Sequence, residues 1–288
     1  MPSIRIAHLS DLHFSKICWG INQFFSKRWI GNFNFLLRRK KEFDYSQLEK
    51  LLPIFLEKKV QKVLISGDLS CTSLKEEFLK ASFFTDLLKN HGIETIILPG
   101  NHDHYTKKDH RKKTFYDFFA SQSAPNSLKK DRLEVIPLGA SWWMIGLDTT
   151  LSTHLFSCKG KFPVELEQKL EETLELLPKE ANIILANHFP ILLKSDRSLQ
   201  REEALVSILK RHPKIQLYLH GHTHHRRISD YRNLGLPIVS DSGSAAHRFK
   251  GSWNLIDCSE NSFSISPYLW ENESWAPENN TPITWRTL

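Results

Sequence analysis

The sequence contains few cysteines, and they lie far apart. The four cysteines, Cys18, Cys71, Cys158 and Cys258, show no paired spacing along the 288 residues. This pattern argues against both a disulfide framework and a zinc site built from cysteines. Because disulfides rarely persist in the cytosol, four isolated thiols are typical of a reduced cytosolic protein.

The sequence also lacks a long apolar run. No segment approaches the roughly 20 continuous apolar residues that a membrane-spanning helix needs. Residues 1–11 lead directly into a strand-like run and carry no apolar stretch of the signal-peptide type. We therefore expect a cytoplasmic protein, with a peripheral position at the inner membrane surface as the alternative.

The composition is that of a soluble globular protein with a substantial core. Apolar residues make up 40% of the chain and charged residues 25%. The formal net charge of +7 favours anionic partners such as phosphorylated substrates, nucleic acid or acidic lipid. The charge does not distinguish among these three classes, and it adds little weight to any of them.

Short apolar runs alternate with amphipathic helical patterns along the chain. Buried strands are predicted at Ile4–Leu9, Val63–Ile65, Thr95–Leu98, Trp142–Leu147, Ile183–Ala186 and Ile215–Leu219. Helices are predicted at Tyr45–Lys59, Leu74–His91, Pro163–Leu177 and Leu199–Arg211. This alternation predicts a layered α/β fold, and a strand-rich region after Ile228 indicates a second sheet. We expect one domain over residues 1–270, followed by a C-terminal tail at 271–288.

Clusters of potential metal ligands follow the predicted strands. Asp11 and His13 follow the first strand, Asp68 the second, and the run Asn101–Asp103 the third. The remaining candidates follow later strands and are His188, His222 and His224. Ligands of α/β sheets bind beyond the carboxyl ends of the strands, where all these residues fall. One such motif alone is commonplace, but the ordered series at consecutive strand ends predicts a single site.

Carboxylate, amide and imidazole ligands suit Mn, Fe, Zn or similar divalent ions. Asp68 can bridge two ions with its two oxygens, and Asn101 can offer its amide oxygen. Two ions about 3.5–4 Å apart polarise a phosphoryl group and activate a bridging water. His102 is then available as the general acid, and the adjacent Asp103 is expected to fix its tautomer. The sequence therefore predicts a phosphoesterase with two divalent metal ions.

From Ile4 to Ala246, the motif series resembles that of the calcineurin-like metallophosphoesterases. The resemblance implies a four-layer α-β-β-α sandwich of two mixed sheets. It places Asp11, His13 and His224 at one ion, Asn101, His188 and His222 at the other, and Asp68 between them. It gives His102 the role of contacting the phosphate and the leaving group, with Asp103 as its partner. Asn101 and His102 are thus also the expected substrate-binding residues.

Two further stretches resemble the branch that contains bacterial cyclic-nucleotide phosphodiesterases. They are Gly146–Thr149 and Asn187–Pro190. The residue before the metal-binding histidine is often another histidine in that branch, so Asn187 is a departure. Hydrolysis of a phosphodiester is the leading hypothesis for a small phosphorylated substrate, followed by hydrolysis of a phosphomonoester.

Residues 16–41, here called the cap segment, combine basic and aromatic residues. Ile21, Phe25, Trp29 and Phe33 follow near-helical spacing, and lysines and arginines lie between and after them. Three interpretations stay open: a lid over the site, a contact with a membrane surface, or a helix that only packs against the domain.

Three other functions remain as alternatives. The cap segment motivates a pyrophosphatase acting on a nucleotide-linked lipid such as a lipid A precursor, although some members of that type place Arg where this chain has His102. The basic run 107–113 motivates a nuclease, but no regular series of stacking aromatics accompanies it, so nucleic acid is not favoured. A catalytically silent scaffold is the least favoured alternative, because no expected ligand position is missing.

Overall fold

A computed structural model describes residues 3–16, 42–121, 127–139, 141–151, 158–193, 198–279 and 281–287. Residues 17–41, nearly the whole cap segment, lie outside the described residues. The three interpretations of that segment therefore stay predictions. Within the described part of the chain, no helix is long and apolar enough to cross a membrane.

The described ranges contain strands of two to ten residues and mostly short helices. The strands are β1 (Ile4–Leu9), β2 (Lys62–Ile65), β3 (Glu94–Ile97), β4 (Leu133–Gly139), β5 (Trp142–Leu147), β6 (Gly160–Lys161), β7 (Asn182–Ala186), β8 (Leu199–Gln200), β9 (Ile215–His220), β10 (Arg227–Asp230), β11 (Ile238–Asp241), β12 (Ser252–Cys258), β13 (Ser262–Glu271), β14 (Ser274–Pro277) and β15 (Ile283–Arg286). The α-helices are α1 (Ser46–Glu49), α2 (Leu51–Glu57), α3 (Lys75–Asn90), α4 (Lys107–Lys112), α5 (Leu128–Asp131), α6 (Val164–Leu176) and α7 (Glu202–Arg211).

Two mixed sheets form the centre of the molecule. The first has the order β14-β13-β12-β1-β2-β3, and β15 also pairs with β13. Its strands β1, β2 and β3 are parallel to one another. The second sheet has the order β10-β11-β9-β7-β5-β4, in which β5, β7, β9 and β11 are parallel. The carboxyl ends of the parallel strands in each sheet therefore lie along one edge.

The central strands are mostly apolar because both faces of the sheets are covered there. All residues of β2, β7 and β9 are buried. One apolar cluster joins Ile184 and Leu217 of the second sheet to Leu64 of the first and to Phe78 of α3. A second cluster packs the other face of the second sheet against α6 and α7. This layering confirms the predicted α/β fold with two mixed sheets.

The predicted elements differ from the structure at points where tertiary pairing overrides local pattern. Strand β4 was not predicted, since Pro137 interrupts it and its pairing with β5 shifts register between Pro137 and Gly139. The predicted helix at Leu199–Arg211 begins only at Glu202, because Leu199 and Gln200 pair with β6 as β8. Part of the predicted C-terminal tail forms β14 and β15, which pair with β13.

Candidate active site

The predicted metal ligands converge where the parallel strands of both sheets end. Asp11 and His13 follow β1, Asp68 follows β2, and Asn101 follows β3. His188 follows β7, and His222 and His224 follow β9. Because the two sheets face each other, these strand ends bring residues more than 200 positions apart into direct contact, as the 3.0 Å separation of His13 Nε2 and His224 Nε2 shows.

Several of these residues have a left-handed backbone, which is uncommon for side chains other than glycine. The φ angles are 54° at Asp11, 49° at His13, 55° at Asp68, 72° at His222 and 58° at His224. Backbone bonds stabilise these turns, with Asp11 N donating to Gly67 O at 3.0 Å and His13 N to Asp68 O at 2.9 Å. Strained conformations of this kind cluster at functional sites, where the surrounding fold holds them in place.

Asp11, His13 and His224 form the first group of ligand atoms. Nε2 of His224 lies 3.1 Å from Asp11 Oδ1, and Nε2 of His13 lies 3.6 Å from the same oxygen. The side chains of Asp11 and His13 are fully buried, whereas that of His224 is 29% exposed. This group is therefore open to solvent at one ligand.

Asp68, His188 and His222 form the second group. His188 Nε2 lies 3.1 Å from His222 Nδ1 and 3.5 Å from Asp68 Oδ1. It also lies 3.2 Å from Asn101 Oδ1, which adds the amide oxygen expected from the sequence. Nδ1 of His188 faces Ser66 O at 2.9 Å, and this bond fixes Nε2 as the nitrogen directed to the group.

The Asp68 carboxylate connects the two groups. Its Oδ1 is the oxygen nearest His188, and its Oδ2 lies 3.7 Å from His13 Nε2. Gly100 allows this close arrangement, because a Cβ at Gly100 would meet Asp68 Oδ1 at 2.2 Å and the Asp68 amide nitrogen at 2.4 Å. Each carboxylate oxygen thus faces a different set of imidazoles.

The side chains fit two divalent metal ions that share Asp68. Atoms that ligate one ion at about 2.0–2.1 Å lie roughly 3 Å from each other, as these pairs do. Two Nε2 atoms facing each other at 3.0 Å, as in His13 and His224, match ligands that approach a common cation. In addition, Asp11 Oδ1 is buried and has no hydrogen-bond partner among the described residues. The oxygen and imidazole donors suit Mn, Fe or Zn.

The ionisation of the buried side chains in the two ligand groups also favours the binding of a cation. Although burial opposes it, the neighbouring histidines hold the pKa of Asp68 well below its usual range. Burial lowers the pKa of His188, but attraction to Asp68 outweighs it and raises that pKa to about 9. Burial lowers the pKa of His222 to about 3. Without a metal, the carboxylates of Asp68 and Asp11 thus keep His188 protonated.

His102 lies at the opening of the site, and its orientation is fixed through its backbone and ring. Its amide N donates to Asp68 Oδ1 at 2.8 Å, and its ring stacks on Tyr105 with centroids 5.3 Å apart. Nδ1 lies 2.6 Å from Cys71 O. Because a carbonyl oxygen only accepts, Nδ1 carries the hydrogen, and Nε2 is the ring nitrogen left available to the site.

The expected role of Asp103 in fixing the His102 tautomer is contradicted by these contacts. The Asp103 carboxylate instead accepts the amide hydrogens of Ser70 at 2.8 Å, Gly100 at 2.9 Å and Leu69 at 3.1 Å. It is fully buried, and burial raises its pKa to about 7. In the turn after β3, the side chains of adjacent residues point in different directions. Asp103 therefore joins the loops that follow β2 and β3, and Cys71 O takes its place at His102.

Glu77 is a further residue of the site that the sequence analysis missed. Its buried carboxylate accepts from Thr72 N at 2.8 Å, Leu74 N at 3.1 Å and Lys16 N at 3.2 Å. It thereby ties the loop after β1 to the loop that contains Cys71. The available signal was an acidic residue in the third position of α3, from which its carboxylate accepts the amide hydrogen of the N-cap residue Leu74.

Known proteins are similar to this chain in sequence and in fold. Residues 4–226 match the family described as calcineurin-like phosphoesterase. A protein of Vesicomyosocius okutanii (strain HA) described as "Probable cyclic nucleotide phosphodiesterase" is 26% identical over 206 residues, covering 69% of this chain and 76% of that protein.

Solved structures share the arrangement of elements at much lower identity. A dimetal phosphatase from Danio rerio has a TM-score of 0.70 at 12% identity and covers 99% of each chain. A purple acid phosphatase from yellow lupin (Lupinus luteus) seeds has a TM-score of 0.66 at 12% identity, covering 98% of this chain and 53% of the lupin chain. Together with the sequence match over residues 4–226, the shared fold leads to one conclusion: the chain belongs to the calcineurin-like phosphoesterase family and is a hydrolase of phosphoric ester bonds.

Proposed function

We propose that this protein hydrolyses a phosphodiester with the aid of two divalent metal ions. The observation that carries the proposal is the Asp68 carboxylate, whose oxygens lie 3.5 Å from His188 Nε2 and 3.7 Å from His13 Nε2. Asp11, His13 and His224 would hold one ion, and Asn101, His188 and His222 would hold the other. When bound, such ions supply Lewis acidity at the phosphoryl oxygens and lower the pKa of the attacking water.

The protein's own residues supply the remaining chemistry. His102 is placed to donate a proton from Nε2 to the leaving oxygen, since its Nδ1 is held by Cys71 O. Asp103 keeps the loop of His102 against the loop of Asp68 through its bonds to Ser70 and Gly100. The backbone bond from His102 N to Asp68 couples the acid to the metal-binding carboxylate. A phosphate held at the metal-ligand groups would have His102 beside it to protonate the leaving oxygen.

The choice of a diester rests on the relative from Vesicomyosocius okutanii, whose description names a cyclic nucleotide phosphodiesterase. A general acid also matters most when the leaving group is a poorly acidic alcohol, as in an alkyl diester. A phosphomonoesterase is the second candidate within the same site, because the ligands impose no requirement on the second ester group.

The test is an assay of purified protein with matched substrates and defined metals. Cyclic nucleotides, a nucleotide monoester, a nucleotide-linked pyrophosphate and single-stranded DNA would be compared in Mn²⁺, Zn²⁺, Mg²⁺ and chelator. We expect metal-dependent hydrolysis of the diesters, and about two ions per chain by elemental analysis. The Asp68→Asn variant should lose both the hydrolysis and the bound ions. The Asp257→Asn variant should keep both, because Asp257 lies on β12 far from the site.

The panel also separates the alternatives. Preferential turnover of the pyrophosphate would replace the diester proposal with a pyrophosphatase. Turnover of DNA that falls steeply with salt would indicate a nuclease. A folded protein that binds metal yet turns over none of these esters would contradict the proposal.

A further inference from the structure

A cavity of about 540 Å³ opens beside the metal-ligand groups, on the side of the second sheet that faces away from the first. Pockets that bind small molecules typically measure roughly 300–1,000 Å³, so the space exceeds what a phosphate needs. Ile191 and Val239, two of its lining residues, belong to the apolar cluster between this sheet and α6 and α7.

Two loops that carry metal ligands form walls of this cavity. Pro190 and Ile191 line it and follow His188 by two and three positions. Thr223 also lines it and lies between His222 and His224. Its hydroxyl donates to Asp241 Oδ2 at 2.6 Å, which fixes this wall to the end of β11. A group bound in the cavity is therefore a near neighbour of a phosphate at the site.

A hydrogen-bond acceptor lies in the lining of the cavity. His220 is only 6% exposed, and its Nδ1 lies 2.9 Å from Gly221 O. Since the carbonyl accepts, Nδ1 carries the hydrogen and Nε2 keeps its lone pair. Among the described residues this Nε2 atom has no hydrogen-bond partner, and His220 lines the cavity. A buried acceptor of this kind favours a ligand that offers an N–H or O–H group.

The rim of the cavity is basic. Arg226 is neutralised by an ion pair with Glu278. Arg227, on β10, is exposed, and no carboxylate of the described chain forms an ion pair with it. The lining thus combines apolar side chains such as Ile191 and Val239 with acceptors at His220 and Asp241, and Arg227 lies at the mouth. This combination suits an uncharged planar group that offers hydrogen-bond donors and is attached to an anion.

We propose that this cavity binds the heterocyclic base of a nucleoside whose phosphodiester is cleaved at the adjacent metal centre. The base would pack between Ile191 and Val239 and donate an N–H to His220 Nε2, with Arg227 at the mouth. This inference deepens the proposed function and rests on it for the position of the phosphate. On this inference, the residues of the second sheet that line the cavity determine which substrate the protein prefers.

One experiment compares two esters with the same leaving group. Thymidine 5′-(p-nitrophenyl) phosphate carries a base, and methyl p-nitrophenyl phosphate does not. We expect the wild-type protein to prefer the thymidine ester in kcat/KM by about 10-fold or more. Ser229, a half-buried residue of β10 that lines the cavity, offers a position at which to fill it. Ser229→Trp should abolish this preference and leave turnover of the methyl ester unchanged.

The matched control is Ser264→Trp, a half-buried serine on β13 of the other sheet, which should keep the preference. Both variants are checked for folding by thermal unfolding. If wild type and Ser229→Trp show the same preference, or if the wild type shows none, the inference is overturned while the phosphodiesterase proposal stands.

A binding measurement without metal separates the two proposals fully. In chelator, adenosine should bind about 2- to 10-fold more tightly than purine riboside, which lacks the N6 amino donor. Ser229→Trp should abolish binding of both nucleosides, and Ser264→Trp should not. Equal affinity for the two nucleosides, or undiminished binding by Ser229→Trp, overturns the inference. If neither ester is hydrolysed with any metal, the proposed function fails, and the binding result still decides the cavity's role.

Discussion

Histidines of this protein differ in role according to the partner of each ring nitrogen. Ser66 O lies 2.9 Å from Nδ1 of His188, and Cys71 O lies 2.6 Å from Nδ1 of His102. In both residues the other nitrogen is thereby assigned to the site. His188 lies within the metal-ligand group, whereas His102 lies at its opening. On the proposed mechanism, the same residue type would serve as a metal ligand in one place and as a proton donor in the other.

Replacement of His102 by alanine should separate proton transfer from metal binding. We expect the metal content to stay at its wild-type value, while kcat falls by about 10²–10⁴ for alkyl esters, whose leaving oxygen needs a proton. For a p-nitrophenyl ester the loss should be much smaller. A series of esters with graded leaving-group pKa measures this, and an equal loss along the series would contradict the role.

Metal binding should strengthen as the pH rises. The pKa of His188 is raised to about 9, since its attraction to Asp68 outweighs burial, so this ring is protonated at neutral pH in the metal-free protein. An ion must displace that proton, and affinity should rise by up to about 10-fold per pH unit until about pH 9.

Calorimetric titration with Mn²⁺ in buffers of different ionisation enthalpy gives the number of protons released. About one proton per chain is expected from His188 near neutral pH. His222, whose pKa is lowered to about 3 by burial, should contribute none there. An affinity that is constant from neutral pH to about pH 9 would show that His188 is already neutral in the apo site.

At the scale of the elements, the site depends on tight turns after the strands. The turn after β3 is packed against the turn after β2, with Gly100 N donating to Asp103 and His102 N donating to Asp68. Glycine at position 100 is required by contact rather than by backbone conformation, since its φ is not in the left-handed region. The two turns consequently behave as one unit.

Gly100→Ala should displace Asp68 and weaken metal binding by about 10- to 100-fold. The reason is the overlap of the new Cβ with the Asp68 carboxylate and amide, at 2.2 and 2.4 Å. Metal affinity and the free energy of unfolding are measured together. The control is Gly139→Ala, where φ is +105° and no heavy atom lies within 4 Å of a Cβ. This control should lower stability through strain alone and keep metal affinity. Normal metal affinity in Gly100→Ala would show that the turns adjust independently.

At the scale of the whole molecule, the C-terminal strands complete the first sheet and anchor its outer helices. Trp275 on β14 is 6% exposed, and its Nε1 donates to Gln47 O of α1 at 2.9 Å. Gln47 in turn donates to Ala245 O at 2.7 Å. This chain of contacts connects the last strands to the segment that precedes β12. Strands β14 and β15 are thus part of the first sheet.

Trp275→Ala should lower the free energy of unfolding by about 3–5 kcal/mol, because it removes a large buried side chain and a hydrogen bond. Denaturant titration measures the change. Phe249→Ala is the control, as that side chain is 73% exposed and its loss should change stability by less than about 0.5 kcal/mol. Equal stability of Trp275→Ala and wild type would mean that the packing of β14 does not stabilise the domain.

The sequence alone determined the succession of buried strands, the α/β class and the residues that meet at the site. These features follow from local patterns, since apolar runs mark β1, β5, β7 and β9, and polar residues follow their ends. The order of the motifs indicated that these residues share one site, because parallel strands of one sheet place the residues that follow them along one edge.

Only the tertiary structure decided which atoms meet. It assigned Cys71 O rather than Asp103 to the His102 ring, since the direction of side chains in a turn depends on backbone angles that residue spacing does not specify. It also recruited β14 and β15 into the first sheet and formed the cavity beside His220. Strand pairing and cavities arise between segments distant in the chain, and local sequence patterns carry no information about such contacts.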